Sequence, residues 1–222
     1  MKKAILTGIC ALGLFGTAWA ETAPTSELPI KVFLGANVAM TMPVWSDDVN
    51  DIMDQINTEL PGLNLGLGAE AGIKFGAADK IYNFGVSVAY DYMFDSAADI
   101  GYPYDQLVSE ISTGFSTISI YFDNYIRFAD NAGKRSDLVL GVGYTNGTER
   151  IRMAATQLGY EYGLDTTDGD DTGSFIGLKI GYLQQITSNV DFSAMLRMFI
   201  PTVSESDIGS IFNISAGIRY NF

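Results

Sequence analysis

The sequence predicts an all-β fold, a transmembrane eight-stranded antiparallel up-and-down β-barrel. Three observations predict it. Apolar and polar residues alternate with a period of two in eight separate segments, as in strands that have one apolar and one polar face. The links between these segments alternate between long and short. The polar face is rich in glycine and serine, which suits the narrow interior of a barrel better than a surface in water.

The chain begins with the features of an export signal. Lys2 and Lys3 form a positive region, an apolar run covers residues 4–17, and Ala-Trp-Ala at residues 18–20 is a small-x-small cleavage site. The apolar run is too short to span a bilayer. We therefore expect residues 1–20 to be a signal peptide that is removed on export.

The expected domain order is a short periplasmic N-terminal tail at residues 21–30 and then a barrel domain at residues 31–222. Cys10 lies inside the signal region, and the large Ile9 before it argues against a lipoprotein site. The mature chain therefore has no cysteine, and neither disulfides nor thiol chemistry contributes.

Composition and charge argue against a nucleic-acid-binding protein and against a transmembrane helix. Without Lys2 and Lys3 the chain has 11 basic and 26 acidic residues, a net charge of −15. Such a balance disfavours nucleic acid as a partner, because phosphate binding needs clustered lysine and arginine. No apolar run after residue 20 is long enough for a spanning helix, but a closed barrel satisfies its backbone groups between strands and also crosses a bilayer.

The first four strands are predicted at residues 31–41, 62–75, 81–93 and 114–128. The first places five apolar residues on one face. The second alternates mainly leucine and alanine with asparagine, glycine and charged residues. The third is the clearest, and its apolar face holds Tyr82, Phe84, Val86, Val88, Tyr90 and Tyr92. The fourth alternates isoleucine and phenylalanine with serine, threonine, tyrosine and charged residues.

The last four strands are predicted at residues 137–145, 174–184, 190–200 and 211–222. The fifth alternates leucine, valine and tyrosine on one face, and the sixth sets isoleucine and leucine against glycine and lysine. The seventh opposes apolar residues to aspartate, serine and arginine, and the eighth ends on the terminal aromatic Phe222. Most segments reach the ~9–11 residues that a tilted strand needs to cross a bilayer.

The links give the barrel two different ends. Those at residues 42–61, 94–113, 146–173 and 201–210 are long, and those at 76–80, 129–136 and 185–189 are short. Outer-membrane barrels have short periplasmic turns and longer outer loops. Aromatic residues also recur near the ends of the apolar faces, as an interfacial belt requires: Tyr82, Tyr92, Phe128, Tyr144, Tyr182, Tyr220 and Phe222.

The chain resembles the small eight-stranded outer-membrane barrels of the OmpX and OmpA transmembrane-domain type. The resemblance covers residues 31–222 and is most specific at the ending, where Ile218, Tyr220 and Phe222 share one face. These match the C-terminal signal that barrel-assembly machinery reads in that family. The resemblance implies outer-membrane lipid and lipopolysaccharide as surroundings, periplasmic chaperones during biogenesis, and no cofactor. Nothing follows Phe222, so the peptidoglycan-binding domain of full-length OmpA proteins is not expected.

The polar faces predict a charged lumen, with four acidic and five basic side chains: Glu70, Lys74, Asp91, Asp123, Arg127, Lys179, Asp191, Arg197 and Arg219. The interior of an eight-stranded barrel is just wide enough for side chains to fill. The favoured interpretation is a plug of paired charges that keeps a polar interior satisfied. The alternative interpretation of the same charges is an ion path.

Catalysis is not expected, because the chain has no histidine. As families, the known outer-membrane lipases, acylases and proteases use a histidine as general base or triad member. A serine or aspartate system without one needs an unusually tuned base. No HExxH, GxSxG or Cys/His metal spacing is present either.

The long loops are where specific recognition is expected. Residues 46–60 predict an amphipathic helix that begins at a Ser46 cap and ends before Pro61, either as a cover over the barrel mouth or as a partner-docking helix. The third long loop holds Asp165, Asp168, Asp170 and Asp171, which are weak candidates for calcium because their spacing is not that of an EF-hand.

The expected function is therefore a non-enzymatic integral outer-membrane protein that displays four acidic surface loops to lipid, host or phage ligands. Two alternatives remain open at this stage. One is a small channel for ions or apolar solutes. The other is a soluble, lipocalin-like carrier whose apolar faces point inward.

Overall fold

A computed structural model of the protein describes residues 30–76, 81–131, 134–202 and 208–222. The predicted signal peptide, and the predicted tail up to residue 29, lie outside the described residues. Eight long strands, here β1 to β8, make up the barrel: Ile30–Trp45, Asn64–Phe75, Tyr82–Met93, Val108–Asn131, Lys134–Ala155, Thr167–Gln185, Val190–Pro201 and Ile208–Asn221.

The eight strands form one closed antiparallel ring. Each strand pairs with its neighbours in the sequence, and the first and last strands complete the ring in a register that runs from Phe33 opposite Asn221 to Trp45 opposite Ile208. The backbone N–H of Phe222 adds a hydrogen bond to the carbonyl oxygen of Val32, 2.9 Å away. Closure leaves the membrane-crossing part of the sheet without a free edge, and it confirms the predicted fold.

The apolar faces point outward. In β3 the exposed and buried residues alternate along the whole strand, so Tyr82 and Phe84 are exposed while Asn83 and Ser87 are buried. All seven aromatic residues predicted for the interfacial belt are exposed. The soluble-carrier alternative is wrong, because it requires the apolar faces to line the interior.

Strands β4, β5 and β6 extend farther than the sequence predicts and project as a three-stranded sheet beyond the ends of their neighbours. Residues 146–155 and 167–173, predicted as loop, are paired strand. Acidic residues of β6 lie opposite basic residues of β5 in this extension, Asp170 opposite Arg150 and Asp168 opposite Arg152. Opposite charges across a strand pair favour extended backbone where the acidic stretch alone suggests a loop.

The described residues of the long loops contain two short α-helices and a single 3₁₀ turn at Tyr104–Gln106. Helix α1 (Asp47–Gln55) begins as predicted, with the Ser46 hydroxyl accepting a hydrogen bond from the Val49 N–H. It ends before Leu60, because Asn57 has a φ of 50° and residues Thr58–Glu59 pair with Asp99–Ile100. Helix α2 (Gln157–Glu161) is capped by Thr156. Neither described helix is long and apolar enough to cross a membrane.

Candidate functional site

The middle of the barrel interior holds a buried ion-pair cluster centred on Lys179. Its ammonium lies 2.9 Å from Glu70 Oε1, 2.7 Å from Asp123 Oδ1 and 3.0 Å from the Ser87 hydroxyl. Ser87 in turn donates a hydrogen bond of 2.6 Å to Asp123. These residues come from β2, β3, β4 and β6, so the cluster ties distant strands together across the lumen.

Two arginines complete this central cluster. Arg197 Nη1 lies 2.7 Å from Asp91 Oδ2, and Arg219 Nη2 lies 3.0 Å from Glu70 Oε2. The Arg219 guanidinium also stacks 3.8 Å from the centre of the Phe33 ring. With Lys179 and Asp123 included, three bases face three acids, all buried. Such an arrangement compensates the desolvation of each charge and makes the removal of one partner costly.

A second cluster fills the end of the lumen that carries the short turns. Asp137 accepts contacts from Lys74 at 2.7 Å, Arg135 at 3.4 Å and Arg127 at 3.5 Å. Arg135 also reaches Asp191 at 2.8 Å. The structure thus divides the nine predicted lumen charges between two clusters and adds Arg135 and Asp137 to them.

Sequence reasoning missed those two residues for different reasons. Asp137 lies two residues before Val139 in the fifth predicted strand, and residues two apart in a strand face the same side. Because Val139 is fully buried, the same alternation places Asp137 inside the barrel. Arg135 falls within the short link predicted at residues 129–136, but in the structure β4 continues to Asn131 and β5 begins at Lys134. A bulge between Arg127 and Ala129 lets the pairing continue past the point where alternation in the sequence fails.

The opposite end of the lumen, below the long loops, is packed with apolar side chains. Phe115, Phe175, Phe199 and Ile211 are each at most 2% exposed and belong to one cluster, against which Trp45 packs. The Trp45 and Phe115 ring centres are 5.9 Å apart. A cavity beside this layer has a volume of about 20 Å³, room for a single water molecule. These residues alternate along their strands with the outward-facing apolar ones, and this alternation alone predicts that they face inward.

Small residues make room for these long side chains. A Cβ added at Gly141 would lie 2.6 Å from Asp123 Oδ1 and 2.9 Å from Lys179 Cε. At Gly177 it would lie 2.9 Å from the Tyr121 ring. Ion-paired side chains and aromatic rings therefore pack against glycine positions, where a larger residue would collide with them, and fill the space between the strands.

The remaining predicted site residues lie on the outside. Ile218, Tyr220 and Phe222 all face outward, and the rings of Tyr220 and Phe222 meet edge to face with centres 4.9 Å apart. The four aspartates considered for calcium are exposed; Asp165 precedes β6, and the other three lie within it. Among the described residues, no group of three or more acidic side chains is placed to hold a metal ion.

The fold matches solved structures of outer-membrane proteins. OprG from Pseudomonas aeruginosa matches with a TM-score of 0.54 at 12% identity, over 88% of this chain and 97% of that one. Ail, the attachment invasion locus protein of Yersinia pestis, matches with a TM-score of 0.50 at 10% identity, over 88% of this chain and 99% of that one. The chain has the fold of the small outer-membrane barrels. At these identities the likeness shows the fold alone.

A structure of Ail in complex with the heparin analogue sucrose octasulfate aligns with a TM-score of 0.49 at 11% identity, over 88% of this chain and 99% of that one. No protein-family model and no curated protein sequence matches the chain.

Proposed function

We propose that the protein is a non-enzymatic, non-conducting barrel of the outer membrane whose acidic loops form an interaction surface. The observation that supports this proposal is the filled lumen. The central ion pairs link Glu70 to Lys179 and Arg219, and the layer around Phe115 and Phe175 fills the interior below the loops. A barrel filled in this way serves as a rigid support for its loops.

The loop surface has a strong negative charge. Residues 46–63 and 94–107 together contain eight aspartates and glutamates and no lysine or arginine. Two arginines of the projecting sheet are already paired with acids, Arg150 with Asp95 of the neighbouring loop at 3.1 Å and Arg152 with Asp168 of the sheet itself at 3.5 Å. We therefore propose partners with positive charge on a host, phage or neighbouring surface. We expect lipopolysaccharide phosphates to approach this rim only when divalent cations bridge the two.

Export and assembly complete the proposal. We propose that residues 1–20 are removed on export and that Ile218, Tyr220 and Phe222 are the signal for the barrel-assembly machinery after delivery by periplasmic chaperones. The outward position of these three side chains supports the second part, because an assembly factor can reach them from the outside of the strand. Non-enzymatic status is supported by the absence of histidine from the sequence.

The sealed interior is tested by planar-bilayer recording on the purified, refolded mature barrel, with a known porin as positive control. We expect insertion without stable, uniform conductance steps. Reproducible steps of one size would support the small-channel alternative and contradict the proposal. A lipid-release assay on the same preparation tests the non-enzymatic part, and release that depends on the folded barrel would contradict it.

A further inference from the structure

Loops 1 and 2 are joined into one bonded unit, here called the acidic platform and defined as residues 46–63 and 94–107. Thr58 and Glu59 pair with Ile100 and Asp99 as a short antiparallel ladder. The Gly101 N–H donates to the Asn57 carbonyl oxygen at 2.7 Å, and the Asn57 side-chain amide donates to the Tyr102 carbonyl oxygen at 3.3 Å. These bonds hold helix α1 at a fixed position on the platform.

Helix α1 lies at the surface of the acidic platform. Its nine residues include none that is buried. Val49 and Met53 lie on the inner face of the helix and are half-buried, whereas Ile52 at the edge of that face is 54% exposed. The exposed face of the helix thus presents an isoleucine beside carboxylates, since Asp48 lies one turn before Ile52 and Asp51 lies next to it. Elsewhere on the platform, Tyr102 is 70% exposed.

Charge decides what kind of molecule fits this face. The platform carries eight acidic side chains and no basic one. A second copy of the chain would bring the same carboxylates together, and a purely apolar partner would leave them desolvated. A partner with lysine or arginine beside apolar side chains satisfies both features, because it pairs the carboxylates and covers Ile52 and the Tyr102 ring.

We propose that the exposed face of α1, formed by Asp48, Asp51, Ile52 and Gln55, docks a cationic amphipathic peptide segment. The proposal rests on the surface-interaction function and names the chemistry of its partner. Asp48 and Asp51 pair with the basic side chains, and Ile52 is the apolar anchor. The bonds of Asn57 to Gly101 and Tyr102 hold the helix in place before binding, which lowers the entropy lost on docking.

The test measures binding of a short Lys/Leu peptide, with its leucines at helical spacing, to the mature barrel in zwitterionic nanodiscs. Fluorescence anisotropy of the labelled peptide gives the affinity, and empty nanodiscs give the background. We expect saturable binding above this background. We expect D48N/D51N to weaken it about tenfold, since two rim charges are removed, and Ile52→Ser to weaken it about fivefold.

The matched control is D165N/D170N, which changes the net charge equally on exposed residues of the projecting sheet and its loop. We expect it to alter the affinity less than about twofold. Equal weakening by both double variants, equally tight binding of an all-lysine peptide, or no binding above empty nanodiscs would overturn the proposal. Gel mobility before and after boiling confirms that each variant is folded.

Conductance of the same preparation separates this proposal from the wider function. Conductance steps with intact peptide binding would refute the sealed barrel and leave the docking face supported. A silent barrel without peptide binding would refute the docking face alone.

Discussion

Removing the ammonium of Lys179 probes the buried ion pairs most severely. This side chain is fully buried and contacts Glu70 at 2.9 Å and Asp123 at 2.7 Å. In Lys179→Met, Glu70 keeps its contact with Arg219 at 3.0 Å. Asp123 keeps the hydrogen bonds from the hydroxyls of Ser87 and the more distant Tyr125, but it loses the cation with which it is paired among the described residues. Breaking a buried pair in this way costs about 3–5 kcal/mol, because one charge stays buried without compensation.

The measurement is urea unfolding of the mature barrel in lipid vesicles, followed by the fluorescence of Trp45, the sole tryptophan after residue 20. We expect Lys179→Met to lower the free energy of unfolding by that amount. Adding Asp123→Asn should restore about 2 kcal/mol, since it removes the uncompensated charge.

The control for this prediction is Arg152→Met. Its ion pair with Asp168 has a separation of 3.5 Å between side chains that are 59% and 75% exposed, so we expect a change below about 0.5 kcal/mol. If Lys179→Met lowered the free energy of unfolding no more than Arg152→Met does, the central cluster would not be a buried, compensated network.

Three further predictions follow from other parts of the molecule. Phe222→Ser should reduce the amount of barrel assembled in cells while refolding in vitro stays near wild type; equal loss in both would indicate a role in stability instead of recognition. Gly101→Ala should separate loops 1 and 2, because the added Cβ would lie 2.6 Å from the backbone carbonyl oxygen of Asn57 and would also clash with the Asn57 side-chain amide, and limited proteolysis should then cut the loops faster while the barrel core stays intact. Sucrose octasulfate should not bind to the loops in calorimetry at low salt without divalent cations, because the acidic platform repels a polyanion; saturable binding there would contradict the charge argument.

The alternation of apolar and polar residues predicts the strands of the barrel, because successive side chains of a strand point to opposite faces whichever strand it pairs with. Once the apolar face is assigned to lipid, residues such as Glu70, Lys179 and Arg197 are predicted to face inward, and all three do. Which acid meets which base depends on strand tilt and on side chains from opposite walls. For that reason the sequence alone does not separate the cluster around Lys179 from the cluster around Asp137.

Strand ends were predicted less well because their causes are not local. The stretch around Asp170 looks like a loop until Arg150 is seen on the neighbouring strand. Helix α1 ends early because Asn57 bonds to Gly101 in the next loop, a contact between residues far apart in the sequence. The phenylalanine layer below the loops is absent from the predicted lumen residues, which are all charged, although Phe115 and Phe175 alternate with the lipid-facing residues of their strands and point inward.

Gel mobility of the mature protein from a membrane fraction, boiled against unboiled, tests the central claim most directly. A closed barrel with its backbone groups paired around the ring resists detergent until it is heated. We predict a heat-dependent shift in mobility, with the protein recovered in the outer-membrane pellet. A protein found free in the periplasm with no shift would contradict a sealed barrel that crosses the outer membrane.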